Sequence, residues 1–150
     1  FAHFFKPTPG LLPYNCAING FLETFPLNDS DRYCFLADDD AYEPGFFDKI
    51  DAIAGEVVIC SMKRGDKFPD GSPHPPGVLV AAKENMLRGM VGGEQIIFSG
   101  RAGRKFRFGT DYSGDFDFMA AVIQEFPPVF APEAFVWFNY YEPGRWDIIH

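Results

Sequence analysis

Residues 38–40 are three consecutive aspartates, set between an apolar run and a helical pattern in FLADDDAYEPGFFDKI (35–50). Adjacent like charges repel, so the cluster either lies in water as a solvated turn or brackets something positive. Asp-x-Asp at the carboxyl end of a strand offers oxygen-only ligands on one side of a turn. Such ligands suit a hard cation, Mg²⁺ or Mn²⁺, which keeps several waters and bridges phosphates. A further carboxylate, Asp115 in SGDFDFM (113–119), opens a helical pattern. It suits a general base, or equally a helix N-terminal charge that favours the macrodipole, with Asp117 as a weaker substitute for the base. Arg101, Arg104, Lys105 and Arg107 form a dense basic cluster, able to grip phosphate or to solvate a hairpin. His74, in a Pro-rich loop, is a weak candidate for approach to a metal or acceptor.

These residues need elements to hold them. Helical spacing runs over 14–25 through Cys16, Ile18, Phe21 and Leu22, and Pro26 ends it. The apolar run Arg32–Ala37 predicts a strand buried on both faces. After the aspartates, Pro44 stands near a helix start, and Phe46, Phe47, Ile50 and Ile53 follow at core spacing. Glu56–Met62 predicts a second buried strand, and KRGDKFPDGSPHPPG (63–77) is a long loop. Val78–Ala82 reads as strand, Lys83–Met90 has helical propensity, and 95–98 reads as strand followed by a basic hairpin. Ser113 is placed to cap a helix over 114–126, which Pro127 and Pro128 end, and 129–141 returns as extended chain. Strands alternating with helices predict one α/β domain over 1–150.

Composition narrows the function classes. The net charge of −8 argues against nonspecific binding to nucleic acid or an anionic membrane. The aromatic share of 17%, with 18 Phe, predicts a core built on aromatic packing. The three cysteines have no CxxC spacing, and Cys34 and Cys60 sit in apolar runs as buried thiols. They favour a reducing compartment, so a cytoplasmic location is expected. No apolar run reaches the roughly 18 residues of a membrane span.

FLADDDAYEPGFFDKI resembles the strand, DXD motif and following helix of GT-A-fold glycosyltransferases, particularly the family 2 type. YNCAINGFLETF (14–25) is similar to the helix that precedes this strand, including its recurring Asn. SGDFDFM is similar to the helix start that supplies the catalytic base of inverting members. EPGRW (142–146) is similar to the QxxRW motif of processive members, with Glu142 where Gln is expected.

The resemblance implies a mixed, mainly parallel sheet flanked by helices. It implies Mn²⁺ or Mg²⁺ as cofactor, with a nucleotide-sugar donor and a carbohydrate or other hydroxyl acceptor as partners. Asp38 would reach the donor's ribose or the metal, Asp40 would ligate the metal, and Asp39 would do either. Asp115 would be the base, Arg107 a phosphate contact, and Arg145 and Trp146 contacts to diphosphate and sugar ring. The expected reaction is an inverting, metal-dependent sugar transfer. The rival expectation is a truncated or inactive transferase-like domain that binds carbohydrate or a partner. Family members open with a nucleobase-binding strand, helix and strand, and this chain reads as beginning after them. A strand edge left unpaired in that way predicts a homodimer, formed near Phe1–Phe5 or along that edge.

Overall fold

The computed structural model describes residues 13–37, 40–64, 77–88, 91–111 and 113–138. β3 (Val57–Arg64) lies at the centre of the sheet. Val57 and Ile59 point into one apolar cluster, and Val58, Cys60 and Met62 point into another. A strand apolar on both faces has to be covered on both. β6 (Val129–Phe138) runs parallel to β3, in register from Val58↔Val129 to Arg64↔Phe138. On the other side of β3, its first half pairs with β5 (Ile96–Ser99) and its last residues pair with β4 (Gly77–Leu79), both antiparallel. β1 (Arg32–Tyr33) closes the edge beyond β5, and β2 (Ala41–Tyr42) closes the edge beyond β6, both antiparallel.

Helices α1 (Pro13–Thr24), α3 (Gly100–Lys105) and α4 (Gly114–Glu125) cover the first face of this sheet. They meet it with Ile18, Leu22, Ala102, Phe118, Met119 and Val122. The short helix α2 (Phe46–Asp51) covers the second face with Phe46 and Ile50. Aromatic rings build much of the first cluster, as the composition predicts. Phe108 stacks on Phe118 at 4.0 Å between centroids, and Phe98 meets Phe118 edge-on at 5.2 Å. α1 is tied down by polar contacts as well. Asn15 Nδ2 donates to the Gly109 carbonyl at 2.8 Å. Asn19 both donates to the Phe108 carbonyl (2.9 Å) and accepts from the Phe108 N–H (2.8 Å), replacing a missing strand partner. Among the described residues, no helix is long and apolar enough to cross a membrane.

Several expectations need correction. The sheet is mixed, but it is not mainly parallel: among the described residues only β3 and β6 pair in parallel. The strand expected over 32–37 shrinks to Arg32–Tyr33 at a sheet edge, with Leu36 exposed, so it is not buried on both faces. Arg32 fixes what remains of the strand to α2. Its guanidinium donates to the carbonyls of Ile50 (2.6 Å), Ile53 and Gly55 (3.0 Å), closing the C-terminal end of α2 and anchoring the edge there. The basic segment after β5 is helix α3 and not a hairpin, because Ser99 Oγ accepts from the Ala102 N–H and caps it. Ser113 makes no such cap on α4; its hydroxyl and N–H donate to Asp111 Oδ1 instead. The helix expected over 83–90 is a single 3₁₀ turn, Lys83–Asn85. The surface near Phe1–Phe5 lies outside the described residues.

Gly114 opens α4 where the chain passes closest to α1 and to Gly109. A Cβ added there would lie 2.2 Å from the Gly109 carbonyl oxygen and 2.5 Å from Asn15 Nδ2. Gly114→Ala is therefore expected to destabilise the fold by about 1–3 kcal/mol, the usual range for overpacking. Urea unfolding measures this directly, and a variant as stable as the wild type would contradict the contact.

Candidate functional site

The strand directions decide where the carboxylates go. β3 and β6 run the same way, and β1 runs with them because it is antiparallel to β5, which is antiparallel to β3. β2 runs the opposite way. The chain leaving β1 must therefore cross the carboxyl end of the sheet to enter β2 at the far edge. In a flat sheet those two strands stand roughly 19 Å apart. The residues from Tyr33 to Ala41 span at most roughly 26 Å when extended. That leaves few residues to spare, so the chain has to leave the β1 edge soon after Tyr33. Asp40 closes this crossing, buried at 3% exposure, with its N–H donating to the Ala37 carbonyl at 3.2 Å.

The same end of the sheet receives the 3₁₀ turn Gly93–Gln95, which leads down into β5. Gln95 holds this turn in place: its side-chain oxygen accepts from the Gly92 N–H (3.1 Å), and its Nε2 donates to the Cys60 carbonyl (3.0 Å). The Glu94 carbonyl accepts from Tyr42 Oη at 3.3 Å, which couples the turn to β2. Glu94 itself is 5% exposed, and its carboxyl folds back over Gly92. A Cβ on residue 92 would stand 2.4 Å from Glu94 Oε2, so only glycine admits this fold-back.

α4 descends toward the start of β6, so its N-terminus, and with it Asp115, also stands at the carboxyl end. The Asp115 carboxyl lies against Gly93, 3.4 Å from where a Cβ would be, and accepts from the Gly93 N–H. Asp40, Glu94 and Asp115 thus meet at one site although 75 positions separate the first from the last (115 − 40). Among the described residues, Glu94 Oε2 and Asp115 Oδ1 are buried without a hydrogen-bond partner. Burial comes first, then the charges of Asp40 and Asp115, in pushing the Glu94 carboxyl up to about 8. Burial also raises the Asp115 pKa, and the Gly93 N–H opposes it. The raised value favours the protonated form of Glu94, so the three carboxyls need not hold three charges.

The structure brings together Asp40 and Asp115 from the expected set. Asp38, Asp39, Arg145, Trp146 and His74 lie outside the described residues. Arg107 is placed elsewhere, at the C-terminal end of α3. It donates to the carbonyls of Gly103 (2.9 Å), Arg104 (3.2 Å) and Phe106 (2.7 Å) and pairs with Glu23 at 3.6 Å. Its basic neighbours are likewise paired: Arg101 with Glu56, Arg104 with Asp29, and Lys105 with Glu125. Asp117 pairs with Arg88 at 2.6 Å, an exposed ion pair, which leaves Asp115 as the helix carboxylate of the site. Glu94 is the member of this site that its local sequence did not single out. Its one local signal is a charged side chain after two glycines, directly before an apolar strand.

The raised Glu94 pKa has a definite consequence for stability. Folding binds a proton at Glu94 between about pH 4.5 and about pH 8. Its contribution is complete below its ordinary pKa and is lost as pH rises through the folded value, at up to about 1.4 kcal/mol per pH unit. Asp115 adds in the same direction. In chelator, the wild-type melting temperature should fall from pH 5 to pH 8, and Glu94→Gln should flatten much of that fall. Superimposable curves for the two proteins would show that Glu94 is not held neutral.

The chain matches no protein-family model, and no curated protein matches it.

Proposed function

We propose that this domain transfers a sugar from a nucleotide-sugar donor to an acceptor hydroxyl, with inversion and with a divalent metal. The observation that carries the reading is the meeting of Asp40 and Asp115, with Glu94 between them, at the carboxyl end of the parallel pair. Ligands of α/β sheets bind at that end. An acidic site there whose burial already forces one carboxyl to stay protonated is short of positive charge.

The donor chemistry fits a hard cation. Asp40 is a buried oxygen ligand, and Asp38 is its sequence neighbour in the motif. Among the described residues no group of three His, Cys, Asp or Glu is arranged to hold a metal ion. Mg²⁺ needs no such cage, because it takes one or two carboxylates and completes its shell with waters and substrate phosphates. Bound there, Mn²⁺ or Mg²⁺ would offset the charge developing on the departing nucleoside diphosphate.

The chain's own residues carry the remaining roles. Asp115 accepts the proton of the acceptor hydroxyl, whose oxygen attacks the anomeric carbon as the bond to the diphosphate breaks. Its raised pKa makes it a stronger base than an exposed aspartate, and the Gly93 N–H fixes its orientation. Glu94, protonated, keeps Asp40 and Asp115 from facing a third charge. A second reading, a carbohydrate- or partner-binding domain without transfer activity, draws on one observation. Arg101, Arg104, Lys105 and Arg107 are all engaged by acidic side chains, so none of this cluster stands ready for phosphate.

Binding and chemistry separate the two readings. Mn²⁺ with a nucleoside diphosphate should raise the melting temperature, since a ligand of the folded state alone shifts unfolding by mass action. Asp40→Asn should abolish the shift. Asp115→Asn should retain it while lowering transfer, or hydrolysis of the nucleotide-sugar, by about a hundredfold or more. No shift with any of the uridine, guanosine, cytidine or thymidine diphosphates at saturating Mn²⁺ would overturn the transferase reading and leave the binding domain.

A further inference from the structure

Phe135 and Trp137 are large rings of β6, yet they belong to neither apolar cluster. The cause is a bulge. Cys60 pairs with Ala131, but Ser61 pairs with Phe135, so three residues of β6 (132–134) have no opposite number. An odd insertion reverses which face each later side chain takes. Before the bulge Ala131 faces the second cluster; after it, Ala134 and Val136 do. Phe135 and Trp137 are thereby turned to the other face, where Ser61 and Lys63 of β3 also point. Ser61 holds the bulge, donating to the Pro132 carbonyl at 3.0 Å while accepting the Ala81 N–H at 2.9 Å.

On that face Lys63 Nζ stands 4.3 Å from the Phe135 centroid and 5.4 Å from that of Trp137. All three side chains are partly exposed. Cation–π attraction positions the ammonium, but the rings provide no acceptor for its three N–H donors. Trp137 pairs with Ala41, the residue after Asp40. That pairing sets the strand that carries the cluster next to Asp40, at the same end of the sheet.

We propose that Lys63, Phe135 and Trp137 form the acceptor platform, and that its ligand is a pyranose bearing an anionic group, carboxylate or phosphate. The proposal rests on the transferase reading for the word acceptor, but not for the binding itself. Aromatic faces take the apolar C–H face of a sugar ring, and an ammonium beside them takes the anion. In a chain of net charge −8, an anionic sugar needs such a local cation to approach an acidic site.

Ligand-observed NMR without metal or nucleotide tests this with three probes: methyl glucuronide, glucose 6-phosphate and neutral methyl glucoside. One of the anionic sugars should bind about tenfold more tightly than the glucoside, and which one wins identifies the anion. Lys63→Met should erase that preference, Lys63→Arg should keep it, and Phe135→Leu should weaken all three sugars. These positions are partly exposed, and unchanged melting temperatures would confirm intact folds. Wild-type protein that binds none of the three, or all three alike, overturns the proposal. Anionic-sugar binding in a protein that ignores Mn²⁺ and nucleoside diphosphates would keep the platform and remove the transferase reading. Nucleotide binding without sugar preference would do the reverse.

Discussion

The parallel pairing of β3 with β6 is the constraint from which the rest follows. β3 ends at Arg64 and β6 starts at Val129, at opposite ends of the sheet, so the connection must carry the chain back down. Parallel strands cannot be joined by a tight turn, and a helix on one face is the usual solution. α4 makes that descent here, with Phe118, Met119 and Val122 against the sheet. A descending helix has its N-terminus at the carboxyl end of the strands. Asp115 is thus at the site because β3 and β6 are parallel. The crossing from β1 to β2 passes the same end for a related reason, since those two strands close opposite edges and run in opposite directions.

Gathering carboxyls at that end opposes folding. Asp40 and Glu94 are almost wholly buried, and Asp115 largely so. An isolated buried carboxylate would be far too unfavourable to keep, so such a group neutralises instead. Glu94 is the one pushed that way, first by its own burial and then by the charges of Asp40 and Asp115. The turn that carries it is held by Gln95 to β3 and by Tyr42 to its carbonyl, which fixes the backbone from which the carboxyl projects. A fold that gathers like charges in a rigid setting has retained them against its own stability. Perturbed carboxyls in such settings mark functional sites more often than ordinary surface charges do.

Local patterning was legible where one element decides its own fate. Helical spacing located α1 and α4 to within a residue or two, and the apolar run at 56–62 located β3. Failures came where partners far along the chain decide. The run 32–37 is as apolar as a central strand, but the need to reach β2 pulls most of it out of the sheet. Residues 100–105 look like a charged hairpin because Gly100 and Gly103 suppress the helical signal. Their helix depends on the Ser99 cap and on burying Ala102 against the sheet. Alternating strands and helices suggested a mainly parallel sheet, yet β5 enters from the carboxyl end and so runs antiparallel. Asp40 and Asp115 could be picked out as candidates from local context. Glu94 could not, because its character arises from burial in the folded chain and from two side chains 54 and 21 positions away (94 − 40 and 115 − 94).

The bulge in β6 shows how one strand can serve two ends of the molecule differently. Below it, β6 lies between the two cores, with Ala131 on one face and Phe130 on the other. Had the alternation continued, Phe135 would have followed Ala131 into the second cluster, where Phe46, Ile50 and Met62 already fill the space. Two more large rings there would overpack a close-packed interior. Turning them to the other face removes that conflict, and the Ser61 hydroxyl satisfies the carbonyl that the bulge exposes. The lower part of the sheet is thereby left apolar on both faces, and polar and aromatic groups collect at the carboxyl end.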